Sequence, residues 1–261
     1  MQFSNTTKNR LFKAGYVTKG LLYLLIGGFA VATVVGAARN TNGPKAIIDW
    51  LGNNPFGQAF TILVGVGLAS YAVWRWYTAI GDPASAENDT KGIVKRIGWA
   101  VSGTTYGLLA VYAFKSLNGS GGNSGGKKDM VGLLLEQPYG QELVGIVAAV
   151  VVGVGAYQLY RAFTDKHMDG INKQQISQEQ EDSFRTTGRI GLTARCVVYG
   201  IIAYFLFRAA TLSDASQFRG IGEALGTLQG GDLGSALLAV TGVGMLAYGF
   251  FMLVRARYER V

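Results

Sequence analysis

The sequence predicts an all-α membrane protein: six transmembrane helices arranged as three parallel two-helix repeats, with short interfacial helices on the outer side. Three observations lead there. The 261-residue chain is 49% hydrophobic and only 15% charged, where soluble domains carry about 25% charged residues. Six apolar stretches approach the ~20 residues needed to cross a hydrocarbon core. Two short motifs recur three times along the chain, the signature of an internal repeat.

Glycine accounts for 38 residues, about twice its usual share of roughly 7%. With this much apolar sequence, such glycine fits membrane helices whose backbones approach closely. The net charge is +8. In a soluble chain that would suggest nucleic acid, but no basic recognition helix or binding motif is present. Lysine and arginine collecting in cytoplasmic loops explain the excess. One cysteine, Cys196, and one histidine, His167, exclude an intrachain disulfide, a Cys/His zinc cluster and a bis-histidine haem. No metal or cofactor is expected.

The six stretches run over 16–35, 56–77, 97–114, 143–160, 190–207 and 233–254. The first is too long for a secretory h-region and reads as a retained helix. Trp50, Trp74, Trp76, Trp99 and Tyr258 are placed to form the interfacial aromatic belt. Between the two helices of each unit lies a short amphipathic stretch, at 44–51, 129–135 and 221–228, suited to lie in the interface. The connections 81–95 and 164–189 are polar, and 174–182 reads as a surface helix or a mobile loop. On the side of the N-terminus fall 17 of the 24 basic residues. That bias places both termini in the cytoplasm.

The repeats fix the organisation. The first helix of each unit carries Gly15-Tyr16-Val17-Thr18-Lys19-Gly20-Leu21-Leu22-Tyr23, then Gly98 to Tyr106, then Gly191 to Tyr199, with Gly, a polar residue and Tyr at fixed offsets. The second helix opens with Pro55-Phe56-Gly57-Gln58, Pro138-Tyr139-Gly140-Gln141 and the degenerate Asp232-Leu233-Gly234-Ser235. It closes on Tyr71, Tyr157 and Tyr248. The units span 1–82, 92–166 and 185–261. Two spans per unit make the repeats parallel, related by an axis along the membrane normal. Three of them suggest a pseudo-threefold arrangement.

These motifs resemble a bacterial six-helix membrane family of unknown function built from three tandem two-helix repeats. The resemblance covers 13–258 and rests on the Gly–aromatic–basic–Gly–Tyr frame and the Pro-aromatic-Gly turn. It implies a bacterial cytoplasmic (inner) membrane location and offers no catalytic residue to carry over. The third unit departs from the frame at Cys196 and Asp232.

Several constellations have bland readings. Gly121 to Lys128 nearly matches a phosphate-binding loop, but Lys128 stands where Ser or Thr should hold magnesium and no strand precedes it. It reads as a flexible linker. The glycine pairs at 65/67, 103/107, 153/155 and 242/244 read as helix packing. His167 reads as a solvated loop residue, with pH sensing as the minor alternative. Cys196 reads as a small buried thiol. No Asp or Glu lies in the middle of a span, which argues against a proton relay.

One pattern offers a site. Lys19 and Tyr23, Ser102 and Tyr106, and Arg195 and Tyr199 are each four residues apart, so each pair shares a helix face. The basic members would snorkel to headgroups, or, with Arg75 and Arg161, hold an anionic lipid phosphate. The function expected is non-catalytic: a scaffold or accessory subunit contacting membrane lipids or membrane proteins. The alternative is a passive small-solute conduit or carrier along the repeat axis.

Overall fold

The structure is a computed structural model; it describes residues 5–36, 57–80, 90–117, 126–220 and 231–259. The described residues form seven α-helices: α1 (Asn5–Val34), α2 (Gly57–Ile80), α3 (Thr90–Leu117), α4 (Gly126–Leu135), α5 (Gly140–Phe163), α6 (Gln178–Thr211) and α7 (Gly231–Tyr258), with 3-10 turns at Lys173–Gln175 and Ala215–Gln217. Five are long and apolar enough to cross a membrane: α1, α3, α5, α6 and α7. The sixth expected span lies in α2, 24 residues long. The expected interfacial helix at 129–135 is present as part of α4, whereas 44–51 and 221–228 lie outside the described residues.

The chain folds as two compact units that cut across the repeats. One comprises residues 1–21, 48–122 and 252–261; the other comprises 22–47 and 123–251. Helices α1 and α7 each contribute a segment to both.

In the first unit α2 packs along α3. The opening turns of α1 lie against α2 through small residues: a Cβ on Gly15 would stand 2.8 Å from Tyr71 Cβ, and one on Gly67 2.8 Å from Thr18 Cβ. The core here is aromatic. Phe12, Tyr16, Tyr71 and Trp74 are all buried, with Tyr16 edge-on to Tyr71 at 6.0 Å and Phe12 edge-on to Trp74 at 5.8 Å. Trp74 is therefore packed inside the protein. Its neighbour Trp76 is 42% exposed.

In the second unit α5 packs along α6. Their ends, with α4, close a core of Val131, Val144, Ala148, Leu206, Ala209, Ala210 and Phe218. The α4–α5 turn is tight: Tyr139 takes φ 63° and Gly140 sits against the carbonyls of Leu134 and Leu135. Helix α7 meets α6 where a Cβ on Gly191 would lie 2.6 Å from Tyr248 Cα, and one on Gly244 2.3 Å from Ala194 Cβ. These contacts repeat those of the first unit position for position, Gly15 against Tyr71 and Gly67 against Thr18. The first and third repeats thus build their hairpins on one packing scheme.

Helix α5 shows how polarity is distributed. Its face toward the protein is Gly140, Val144, Ala148, Gly155, Gln158 and Ala162. Its exposed face carries Ile146, Val150, Val152, Val154, Tyr157 and Phe163. In water a helix hides its apolar stripe and exposes its polar one. Beyond its first turn, where Gln141 and Glu142 are exposed, the outward face is apolar, as a hydrocarbon solvent requires. The chain is a helical protein of multi-pass membrane type.

Two local expectations are corrected, and for 178–182 the helical alternative holds. Residues 126–128 of the glycine-rich segment open α4 instead of continuing a linker. Gln178–Asp182 is the first turn of α6, which runs 34 residues from a capping box on Ser177 and Gln180. Cys196 is half-buried, not fully buried.

Candidate functional site

Each unit holds one cluster of cationic and tyrosine side chains. In the second unit Arg195 is only 8% exposed. It donates to the Tyr248 hydroxyl at 2.6 Å and to the Tyr199 hydroxyl. Its guanidinium also lies over the rings of Tyr248 at 4.5 Å, Tyr199 at 5.2 Å and Tyr23 at 5.5 Å. Tyr23 meets Tyr248 edge-on at 4.7 Å. Arg195 and Tyr199 share a face because they are four apart on one helix. The arginine turns inward into this aromatic cluster rather than snorkelling outward.

In the first unit Tyr71 takes the central place. Its hydroxyl accepts from Arg75 Nε at 2.8 Å. Arg75 and Lys19 lie over its ring at 5.0 and 5.7 Å, and Tyr106 meets it edge-on at 4.8 Å. Lys19 is 9% exposed. Arg255 lies over the Tyr16 ring at 5.4 Å while pairing with Glu259. Cation–π contacts of this kind strengthen when desolvated, reaching about 2 kcal/mol.

Of the expected site residues, the structure brings Lys19, Arg75 and Tyr106 together around Tyr71, and Arg195, Tyr199 and Tyr23 together around Tyr248. Arg161 joins neither cluster. It is half-buried at the end of α5 and reaches the Lys166 carbonyl at 3.4 Å. The sequence reading missed the two central tyrosines as site members. Their signal was present, since both stand in the closing motif of the second helix.

That motif was aligned out of register in the middle unit. Gly57 and Gly140 are 83 apart, which carries Tyr71 onto Val154 and not Tyr157. Tyr71 and Tyr248 are buried, at 1% and 3% exposure, whereas both Tyr157 and Val154 are exposed, at 57% and 41%. The middle unit has lost the central tyrosine, and Ser102 replaces the cation.

A second polar assembly occupies the turn from α5 to α6. His167 is fully buried, against the expectation of a solvated loop residue. Its Nδ1 lies 3.0 Å from the Arg161 carbonyl oxygen and its Nε2 3.0 Å from that of Arg185. Asp165, at φ 55°, accepts two bonds of 2.9 Å from Arg189. Arg189 holds the Asp165 carboxyl below its ordinary range. Arg185 bridges Glu181 and Asp182, and Lys173 pairs with Glu181 at 2.7 Å. The Lys173 bond draws the Glu181 carboxyl downward as well.

Comparison with known proteins reproduces the repeat. Residues 14–82, 97–165 and 190–259 match the family described as Domain of Unknown Function (DUF1206). This is a DUF1206 protein. The first two matched stretches of this DUF1206 chain are offset by 83 throughout, the register that aligns Tyr71 with Val154. A curated relative, "Uncharacterized protein YxxB" of Bacillus subtilis (strain 168), is 27% identical over 252 residues, covering 97% of this DUF1206 chain and 91% of the relative. No solved structure matches.

Proposed function

We propose that this DUF1206 protein is a non-catalytic, multi-pass scaffold or accessory subunit of the bacterial inner membrane that binds lipids or other membrane proteins. The observation that carries this reading is the direction of the polar side chains. Arg195, Lys19 and Arg75 turn onto internal tyrosines, while the exposed helix faces are apolar and suited to lipid or partner helices. Helix α2 supplies the sixth span and the three repeats surround a pseudo-threefold axis. The shared hairpin packing of the first and third repeats supports that arrangement. Both termini face the cytoplasm, as the basic bias argues.

Lys19 and Arg75 over one tyrosine ring make a compact basic patch suited to an anionic headgroup. The test is native mass spectrometry of the parent and the Lys19→Gln, Arg75→Gln double variant, purified in mild detergent. The variant is expected to keep its helical circular dichroism and lose co-purifying anionic lipid. Identical bound lipid in both would reduce these cations to packing residues. Solute flux through liposomes containing this protein alone would instead favour a conduit along the repeat axis.

A further inference from the structure

The buried histidine is the feature that membrane packing leaves unexplained. His167 lies in the short turn after α5, where water has no access to its ring. Both ring nitrogens face backbone carbonyl oxygens at 3.0 Å. A carbonyl oxygen only accepts. A neutral imidazole has one N–H and one bare nitrogen, so it can bond one carbonyl and must point a lone pair at the other. A buried acceptor left opposite an acceptor forfeits both its bond and the hydration it gave up. Only the imidazolium, with two N–H groups, fits both.

The surroundings accommodate a positive ring. The Arg161 carbonyl belongs to the last turn of α5, where carbonyls lack intrahelical partners and the helix dipole favours a cation. Asp165 stands two residues away, and its carboxyl is held in the ionised form by its hydrogen bonds from Arg189, helped by Arg185. The other charged groups of the turn are Lys166 and Asp169, and α6 contributes Glu181, Arg185 and Arg189. These arginines are engaged by carboxylates: Arg189 by Asp165, Arg185 by Glu181, Asp182 and Asp165. Helix α7 presents the edge of Phe251, at 5.4 Å. Gly188 makes room for the ring, since a Cβ there would fall 2.3 Å from His167 Cδ2.

We propose that His167 is a protonation-dependent clasp: as imidazolium it ties the end of α5 to the first turns of α6, and loss of a proton releases one of the two ties. The sign follows from the partners. The doubly protonated ring bonds both carbonyls and the neutral ring only one, so the clasp is closed while both nitrogens carry protons and opens when one proton leaves. The Asp165 carboxylate, held by Arg189, keeps a counter-charge beside the turn.

The chain has one histidine, so ring-15N-histidine labelling reports on His167 alone. In the intact protein in lipid nanodiscs, both ring nitrogens should carry protons while the amides of 164–170 are protected from exchange. As the ring deprotonates, exchange in that segment should accelerate about tenfold, the equivalent of one buried hydrogen bond. Gly188→Ala, which crowds the ring while leaving the histidine present, should give the fast exchange at every pH. A ring with a single N–H while the segment is protected would overturn the clasp. So would exchange that ignores the protonation step, with no variant required.

Discussion

A buried arginine in a membrane helix is normally a problem of desolvation, and Arg195 shows one solution. It donates to the hydroxyls of Tyr248 and Tyr199, and three tyrosine rings surround its plane. Polar contacts between membrane helices average about 0.6 kcal/mol, with a maximum near 1.7. Two such bonds and the ring contacts therefore predict that Arg195→Gln destabilises by about 2 kcal/mol, read from SDS-titrated unfolding in mixed micelles. Arg161→Gln, outside both clusters, should change stability by less than about 0.5 kcal/mol. An equal loss in the two variants would show that burial of charge, not the tyrosine partners, sets the cost. The pairing of Arg195 with Tyr199 was legible because four-residue spacing defines a helix face. Tyr248 was not, since it lies 53 positions away and only the fold brings it near. His167 was misread for the same reason: Gly188 and Phe251, which enclose it, carry no local mark of that role.

At the scale of elements, hydropathy located the long helices well and their ends poorly. The apolar stretch 190–207 is the middle of a helix running from Gln178 to Thr211. Its first turns are polar, so an apolar window cannot see them. They are helical because Ser177 accepts from the Gln180 amide while the Gln180 side chain accepts from the Ser177 amide, and because Arg185 links Glu181 and Asp182 at helical spacing. The Ser-x-x-Gln signature was in the sequence and would have placed the start. Ser177→Ala should cost about 1 kcal/mol, confined to the first turns. Hydrogen exchange should speed at 178–182 and stay unchanged beyond 195. Uniform change along α6 would mean that this end has no independent stability. The register of the middle unit failed for another reason. Tyr-x-x-aromatic occurs at 157–160, and that local likeness outweighed the fixed 83-residue offset that the glycine turn supplied.

At the scale of the whole molecule, the open matter is which way the chain crosses the membrane, and α6 gives the cleanest test. Its 34 residues extend about 50 Å at ~1.5 Å per residue, well beyond a ~30 Å hydrocarbon core. Gln178 opens the helix and Ser216 lies just past its end, so one helix separates the two across any bilayer that it spans. The end near Gln178 carries Glu179, Glu181, Asp182, Arg185 and Arg189, a charged extension that must stand in water. In the orientation proposed from the basic excess, that end lies in the cytoplasm. With Cys196 replaced by Ser, single cysteines at Asn123 and Ser216 should react with an impermeant thiol reagent on intact cells. Single cysteines at Ser85 and Gln178 should react only after permeabilisation. Labelling at Gln178 with protection at Ser216 would invert the orientation. Labelling of both on intact cells would mean that α6 does not span, and the multi-pass reading of its unit would fall with it.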